Sequence, residues 1–258
     1  MGVRLFDWLG HALTRYLTAQ IKGFEPSATN DPARLAAVLK PGDVLLVEGN
    51  TRVSSAIKYL TNSTWSHAAL YVGDVLDARE PDGEPHVLVE VELGAGCVSI
   101  PLSKYAGAHT RICRPVGLPA DERARVVRFM VTRIGMRYDL KNVVDLLRYL
   151  LPKPPVPQRF RRRMIALGSG DPTRAICSTL IAQAFQEVRY PVLPKVMAVG
   201  DPTSPIRNVA AQQEILHIRH HSLYTPRDFD LSPYFAVVKP TIETGFDYTQ
   251  MVWGEAAA

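Results

Sequence analysis

No stretch of this chain approaches the ~20 consecutive apolar residues that span a bilayer, which excludes a transmembrane helix. Cysteine is scarce: three among 258 residues, an odd number that builds no disulfide framework and fits a reducing compartment. A signal-peptide core is missing too. Asp7, His11 and Arg15 interrupt the N-terminal apolar pattern and no small-residue cleavage site follows, so the expected location is the cytoplasm. No internal repeat is present. His217, His220 and His221 lack the carboxylates or cysteines that would complete a metal site, and neither a metal nor an organic cofactor is expected.

What is present is the composition of an ordinary globular protein, 47% hydrophobic and 21% charged, long enough for one large domain or two small ones. The net charge of +5 is concentrated at Arg159-Phe160-Arg161-Arg162-Arg163. Such a cluster suits the phosphates of nucleic acid, the anionic face of a membrane, or a solvated loop. Only Phe160 is there to stack on a base, so no nucleic-acid partner is expected.

Residues 3–21 carry Phe6, Leu9, Leu13, Tyr16, Leu17 and Ile21 at helical spacing, which predicts an amphipathic helix. It either docks on the domain or lies on a membrane surface with Trp8 at the interface, and docking is the preferred reading. Ser27 to Pro32 is a linker by composition. Pro41-Gly42-Asp43 then turns into an apolar strand, Val44 to Val47, and Ser54 to Leu60 follows as a short helix. Strands are predicted over His67–Leu76 and His86–Leu93, joined antiparallel through a Pro81-Asp82-Gly83 turn, with a further strand over Thr110–Val116. Helices are predicted over Asp121–Ile134, Leu140–Leu151 and Ile176–Val188. Prolines, arginines and Gly168-Ser169-Gly170 between Pro152 and Pro172 read as an insertion or lid.

Two distant segments carry chemistry. One is Trp65-Ser66-His67-Ala68-Ala69-Leu70-Tyr71-Val72-Gly73, with a histidine at the start of a strand; the other is Ala175-Ile176-Cys177-Ser178-Thr179, with a cysteine in the first turn of a helix. A helix N-terminus favours a thiolate, and its amides can hold an oxyanion. Cys97 and Cys113 lack that setting and read as small buried hydrophobes. Taken alone, a histidine like His67 is more often structural than basic. In the second strand, Val87, Val89, Val91 and Leu93 share one face, which leaves Glu90 and Glu92 on the other. Either carboxylate can fix the tautomer of an imidazole beside it.

Further segments follow in a fixed order: Pro41-Gly42-Asp43, Ser66-His67 with Tyr71-Val72-Gly73, and Glu90 followed by Gly94-Ala95-Gly96-Cys97-Val98 and Pro101-Leu102. They continue through Gly135-Met136-Arg137-Tyr138-Asp139, Cys177-Ser178 and Tyr224-Thr225-Pro226-Arg227-Asp228-Phe229. In this order the chain resembles the YiiX/YebB-like group of permuted NlpC-type, papain-fold cysteine hydrolases, itself similar to lecithin:retinol acyltransferase. The resemblance implies an α+β, circularly permuted papain-like fold, an antiparallel sheet packed against helices. It divides the chain into an N-terminal helix and linker (1–38), a catalytic domain (39–240) with an insertion at about 152–172, and a tail (241–258).

Carried across residue by residue, the resemblance makes Cys177 the nucleophile, His67 the base and Glu90, in preference to Glu92, the orienting acid. It assigns Tyr138, Tyr71 and Ser178 to substrate binding. The implied function is a cysteine hydrolase or acyltransferase that passes through a thioacyl intermediate. The amphipathic N-terminus, the apolar Val143–Leu151 stretch and the adjacent arginines point to a lipid-like acyl substrate, with peripheral membrane contact through residues 1–22 and Arg159–Arg163. The alternatives are a peptidoglycan-type amidase or endopeptidase, which an unexported chain would rarely serve, and a non-catalytic lipid-binding module of the same fold.

Overall fold

Alternation of apolar and polar residues along short strands demands a sheet with a covered face, and a run that is apolar throughout demands cover on both. Val44-Leu45-Leu46-Val47 is such a run, and it forms β1 near the middle of the molecule, every residue buried. The computed structural model describes residues 15–21, 31–136, 177–199, 213–217 and 224–250. Within them, β1 pairs with β2 (His67–Tyr71) on one side and β5 (Thr110–Pro115) on the other. β3 (His86–Glu92), β4 (Gly96–Pro101) and β8 (Phe235–Val238) complete a six-stranded sheet in the order β4-β3-β2-β1-β5-β8, every pairing antiparallel. β6 (Lys195–Val199) and β7 (Gln213–His217) form a separate two-stranded antiparallel sheet.

The helices are α1 (Pro32–Val38), α2 (Arg52–Thr61), α3 (Ala120–Val131), α4 (Cys177–Glu187), α5 (Pro226–Asp230) and α6 (Pro240–Glu243). One face of the sheet, through Val44, Leu46, Ala68, Leu70 and Val89, packs on Val126 and Met130 of α3 and on Ile181 and Phe185 of α4. The other face, through Leu45, Val47, Ala69 and Ile112, packs on Leu35 of α1 and on Leu102. The mixed helix and antiparallel-sheet architecture is therefore that expected. The predicted helices at 54–60, 121–134 and 176–188 appear as α2, α3 and α4 with shifted ends. The Pro81-Asp82-Gly83 turn joins β2 to β3, its Gly83 amide donating to Glu80 O at 2.9 Å.

β2 stops at Tyr71 instead of continuing to Leu76. Its end is interlocked with the Pro41-Gly42-Asp43 turn: the Gly42 amide donates to Tyr71 O at 2.8 Å and the Tyr71 amide to Asp43 O at 2.9 Å. Gly73 sits at φ +71°, where a Cβ would lie 3.0 Å from Pro41 Cγ. A second departure is in β3. A register irregularity between His86 and Leu88 turns Val87 into the same cluster as Leu88, so Val87 does not share a face with Val89 and Val91. β4 and β8 have no counterpart among the predicted strands.

Asp43 anchors this end of the sheet. It is buried and receives both Arg114 Nε (2.9 Å) and Nη2 (2.7 Å), as well as the Lys40 amide at 2.8 Å. Removing one partner of such a pair leaves an uncompensated charge, and the partial exposure of Arg114 tempers the cost. Asp43→Ala is expected to destabilise the protein by about 3 kcal/mol in urea unfolding; an unchanged midpoint would show that Arg114 is satisfied without it.

Of the N-terminal amphipathic segment, residues 15–21 dock on the start of α2. The Ile21 amide donates to Asn50 O (2.9 Å), the Arg52 amide to Ala19 O (3.2 Å), and Leu17 is fully buried. Tyr16 and Ile21, expected on the same stripe, are exposed, and Arg52 covers the Tyr16 ring at 3.9 Å. Residues 3–14, the predicted helix at 140–151, the insertion with Arg159–Arg163, and residues 251–258 lie outside the described residues. Among the described residues no helix is long and apolar enough to cross a membrane.

Candidate active site

α4 is driven onto the sheet by the apolar stripe Leu180, Ile181, Ala184 and Phe185, all buried. Phe185 meets Phe235 of β8 edge-on at 5.1 Å between ring centroids. Ser178 fixes the start of the helix: its hydroxyl donates to Tyr224 O at 3.0 Å. Tyr224 in turn precedes the capping box of α5, where Asp228 Oδ2 accepts from the Thr225 amide at 2.7 Å. These contacts leave Cys177, the first residue of α4, with its sulfur over the beginning of β2. The Ala68 amide donates to Cys177 Sγ at 3.3 Å.

The loop ahead of His67 is equally constrained. Trp65 is buried and its Nε1 donates to Asp230 Oδ2 at 3.1 Å. Ser66 Oγ accepts from the Gly49 amide at 2.9 Å, an approach that only glycine permits, since a Cβ on Gly49 would lie 2.2 Å from Ser54 Oγ. His67 then opens β2 with its side chain 22% exposed, accessible from outside, and its Nε2 lies 2.8 Å from Glu90 Oε2. Glu90 itself has no exposed side-chain surface.

A carboxylate in that position needs strong partners to stay ionised. Burial pushes the Glu90 carboxyl up, but the charge and hydrogen bond of His67, followed by those of Lys104, outweigh it and hold Glu90 at about 2. The same balance operates on His67. Burial lowers its affinity for a proton, while the negative charge of Cys177, that of Glu90 and hydrogen bonds to both raise it well above the ordinary histidine range. Imidazole, thiol and carboxylate therefore interact as one group.

The two glutamates left open by the strand pattern are separated by the fold. Glu90 meets the imidazole, whereas Glu92 is partly exposed and bonds Lys104. Of the residues assigned to substrate, Ser178 is fully buried with its hydroxyl committed to Tyr224 O. Tyr71 sits at the opposite end of β2 from His67, about 13 Å along the strand, packed beside the second core cluster. Neither side chain is brought to Cys177. Tyr138 lies outside the described residues, as do His220, His221 and the side chain of His217. The chain leading to Tyr138 is held by β4, with Gly135 N to Cys97 O at 2.8 Å and Cys97 N to Met136 O at 2.9 Å. Cys97 and Cys113 are fully buried, and burial raises both thiols, Cys97 to about 11. Among the described residues no group of three or more His, Cys, Asp or Glu is arranged to hold a metal ion.

Two residues at the site escaped the sequence reading. After Pro101 the chain makes a 3-10 turn, Leu102–Tyr105, that is anchored by buried Leu102 and by the Ser103 amide donating to Glu84 Oε1 at 3.0 Å. The turn brings Lys104 Nζ to Glu90 Oε1 and the Tyr105 hydroxyl to Glu90 Oε2. A glutamate set between Val89 and Val91 was the available signal, because a buried carboxylate implies a cationic partner nearby.

Residues 38–149 match the family model of the permuted papain-like amidase enzymes, YaeF/YiiX, of the C92 family. The matched stretch contains His67 and Glu90 and ends before Cys177. A solved structure described as the metalloprotein YiiX from Escherichia coli O157:H7 is similar at 14% sequence identity, over 84% of this chain and 98% of that one, with a TM-score of 0.43. That likeness is too loose to carry weight. The family match supports, at the level of the family, a cysteine hydrolase of the amidase type.

Proposed function

We propose that the chain is a cysteine hydrolase in which Cys177 is the nucleophile, His67 its general base and acid, and Glu90 the group that orients and charge-balances the imidazole. The observation that carries this reading is the His67 imidazole, 2.8 Å from the buried Glu90 carboxylate and partly open to solvent, whose proton affinity is raised by both Cys177 and Glu90, with the Cys177 sulfur accepting from the next amide of β2, that of Ala68.

The bond to Glu90 engages Nε2 and leaves Nδ1 as the nitrogen that exchanges a proton with sulfur. Nδ1 takes the Sγ proton as the sulfur attacks the carbonyl carbon of the substrate. The new C–S bond makes a tetrahedral oxyanion, and backbone amides beside Cys177 suit its negative charge. Collapse breaks the bond to the leaving group, which receives the proton from Nδ1. Water then attacks the thioester, gives its proton to Nδ1, and the C–S bond breaks to release the acid and restore the thiol.

The amide is the bond that the family match favours, and esters and thioesters react by the same steps. The lipid-like acyl group is supported by the apolar residues at 143–151 and the amphipathic pattern at 3–21. A series of p-nitrophenyl esters from acetate to decanoate tests both parts. Release of nitrophenol that requires Cys177 and rises with chain length is the expected result. Release equal in Cys177→Ala rejects the hydrolase, and a flat chain-length dependence rejects the lipid-like acyl group alone.

A further inference from the structure

We propose that Lys104 and Tyr105 are positioning residues, which grip the Glu90 carboxylate and thereby fix which nitrogen of His67 faces Cys177. The proposal rests on the Cys177–His67–Glu90 reading above. Glu90 Oε1 accepts from Lys104 Nζ, and Oε2 accepts from both the Tyr105 hydroxyl and His67 Nε2. The carboxylate is thus held in one orientation by three donors from two elements, with no solvent contact of its own.

The state of Glu90 decides the tautomer. An ionised Glu90 accepts the Nε2 proton, so Nδ1 keeps a lone pair and can take the thiol proton. A neutral Glu90 instead places its own proton in that bond. Nε2 must then accept, Nδ1 carries the hydrogen, and the base toward Cys177 is lost. Burial alone would favour the neutral form. The titratable groups that face this carboxyl are His67 from β2, Cys97 from β4, and Lys104 and Tyr105 from the 3-10 turn, while Cys177 acts on His67 and Tyr105, and Glu92 on Lys104 and Tyr105. Of these, only His67, Lys104 and Tyr105 donate hydrogen bonds to it.

Tyr105 suits the task because burial and the charge of Glu90 push its phenol well above the ordinary range, so that it remains a donor. Its ring also lies beside the imidazole, 6.2 Å between centroids. Lys104 is tied by a second carboxylate, Glu92, which gives that glutamate a place in the arrangement without contact with His67.

The test compares wild type, Lys104→Met, Lys104→Arg, Tyr105→Phe and Glu90→Gln by pH-dependent ester hydrolysis and by carbon NMR of the labelled Glu90 carboxyl. Loss of Lys104 is expected to raise the Glu90 midpoint and the acid limb of kcat together by about 1–3 pH units. Tyr105→Phe should shift both by about one unit. At pH values within the shifted range kcat falls by about 10- to 100-fold with KM little changed, and Lys104→Arg restores most of it. Tyr105→Phe retains the packed ring, so a folding failure of Lys104→Met leaves the question answerable. Unmoved midpoints and acid limbs in the folded variants would overturn the positioning role while leaving the site intact. A fully active Glu90→Gln would overturn the reading of the site and the proposal with it.

Discussion

Replacing His67 by alanine is expected to slow alkylation of Cys177 near pH 6 by about 100-fold. An unassisted cysteine thiol, with a pKa near 8.5, is less than ~1% ionised at that pH, and only the thiolate reacts. In the native protein Cys177 and Glu90, acting against the cost of burial, raise the proton affinity of the His67 imidazole well above the ordinary histidine range, which makes it a base suited to take the Sγ proton as the sulfur attacks. The other two cysteines serve as internal references. Cys97 and Cys113 are sealed in the core, and burial raises their thiols further. Peptide mapping after brief exposure to iodoacetamide should therefore show the label on Cys177 alone, and lose it in His67→Ala. Slow and equal labelling of all three sulfurs in both proteins would remove the basis for an activated nucleophile.

The second large effect is on stability at low pH. Glu90 titrates at about 2 in the folded protein against a reference of 4.5. A depressed carboxyl stabilises the fold fully above the unfolded value and ceases to do so as pH falls toward the folded one, so this contribution disappears between pH 4.5 and about 2. Its size is about 3 kcal/mol, because each pH unit separating the folded and unfolded values contributes about 1.4 kcal/mol. His67 behaves oppositely. With its folded value raised above 6.5, its contribution is complete below 6.5 and is lost as pH rises through the folded value. Both describe one attraction, counted once, and it is whole between about 4.5 and 6.5. Urea midpoints measured from pH 2 to 8 should fall on the acid side in wild type more steeply than in Glu90→Gln. Parallel curves would show that Glu90 carries no such linkage.

The residues that meet at the site were readable because each sits at the end of an element with an unambiguous pattern. Cys177 opens a helix whose stripe is Leu180, Ile181, Ala184 and Phe185, and His67 opens a strand whose Ala68 and Leu70 are fully buried. β1 was legible as an uninterrupted apolar run. What local pattern cannot show is diagonal contact. Strand alternation put Glu90 and Glu92 on one face, and only the three-dimensional path of β2 against β3 brings one of them to His67. β4 begins at Gly96, at the end of the turn-like run Gly94-Ala95-Gly96, and acquires its extended form by pairing with β3. Likewise, the irregularity at His86 that redirects Val87 depends on the partner strand. Lys104 and Tyr105 lie in a single short turn, where no periodicity exists to mark them.

The proposed roles of Cys177, His67 and Glu90 have a direct chemical consequence: an acyl group should rest on the sulfur during turnover. The decisive measurement is peptide mapping of protein quenched in acid within milliseconds of mixing with a p-nitrophenyl ester. The account predicts an acyl adduct on Cys177 that forms with the first burst of nitrophenol, decays with turnover, and accumulates far more slowly in His67→Ala. Hydrolysis without any adduct, or an adduct on another residue while Cys177→Ala remains active, would contradict it.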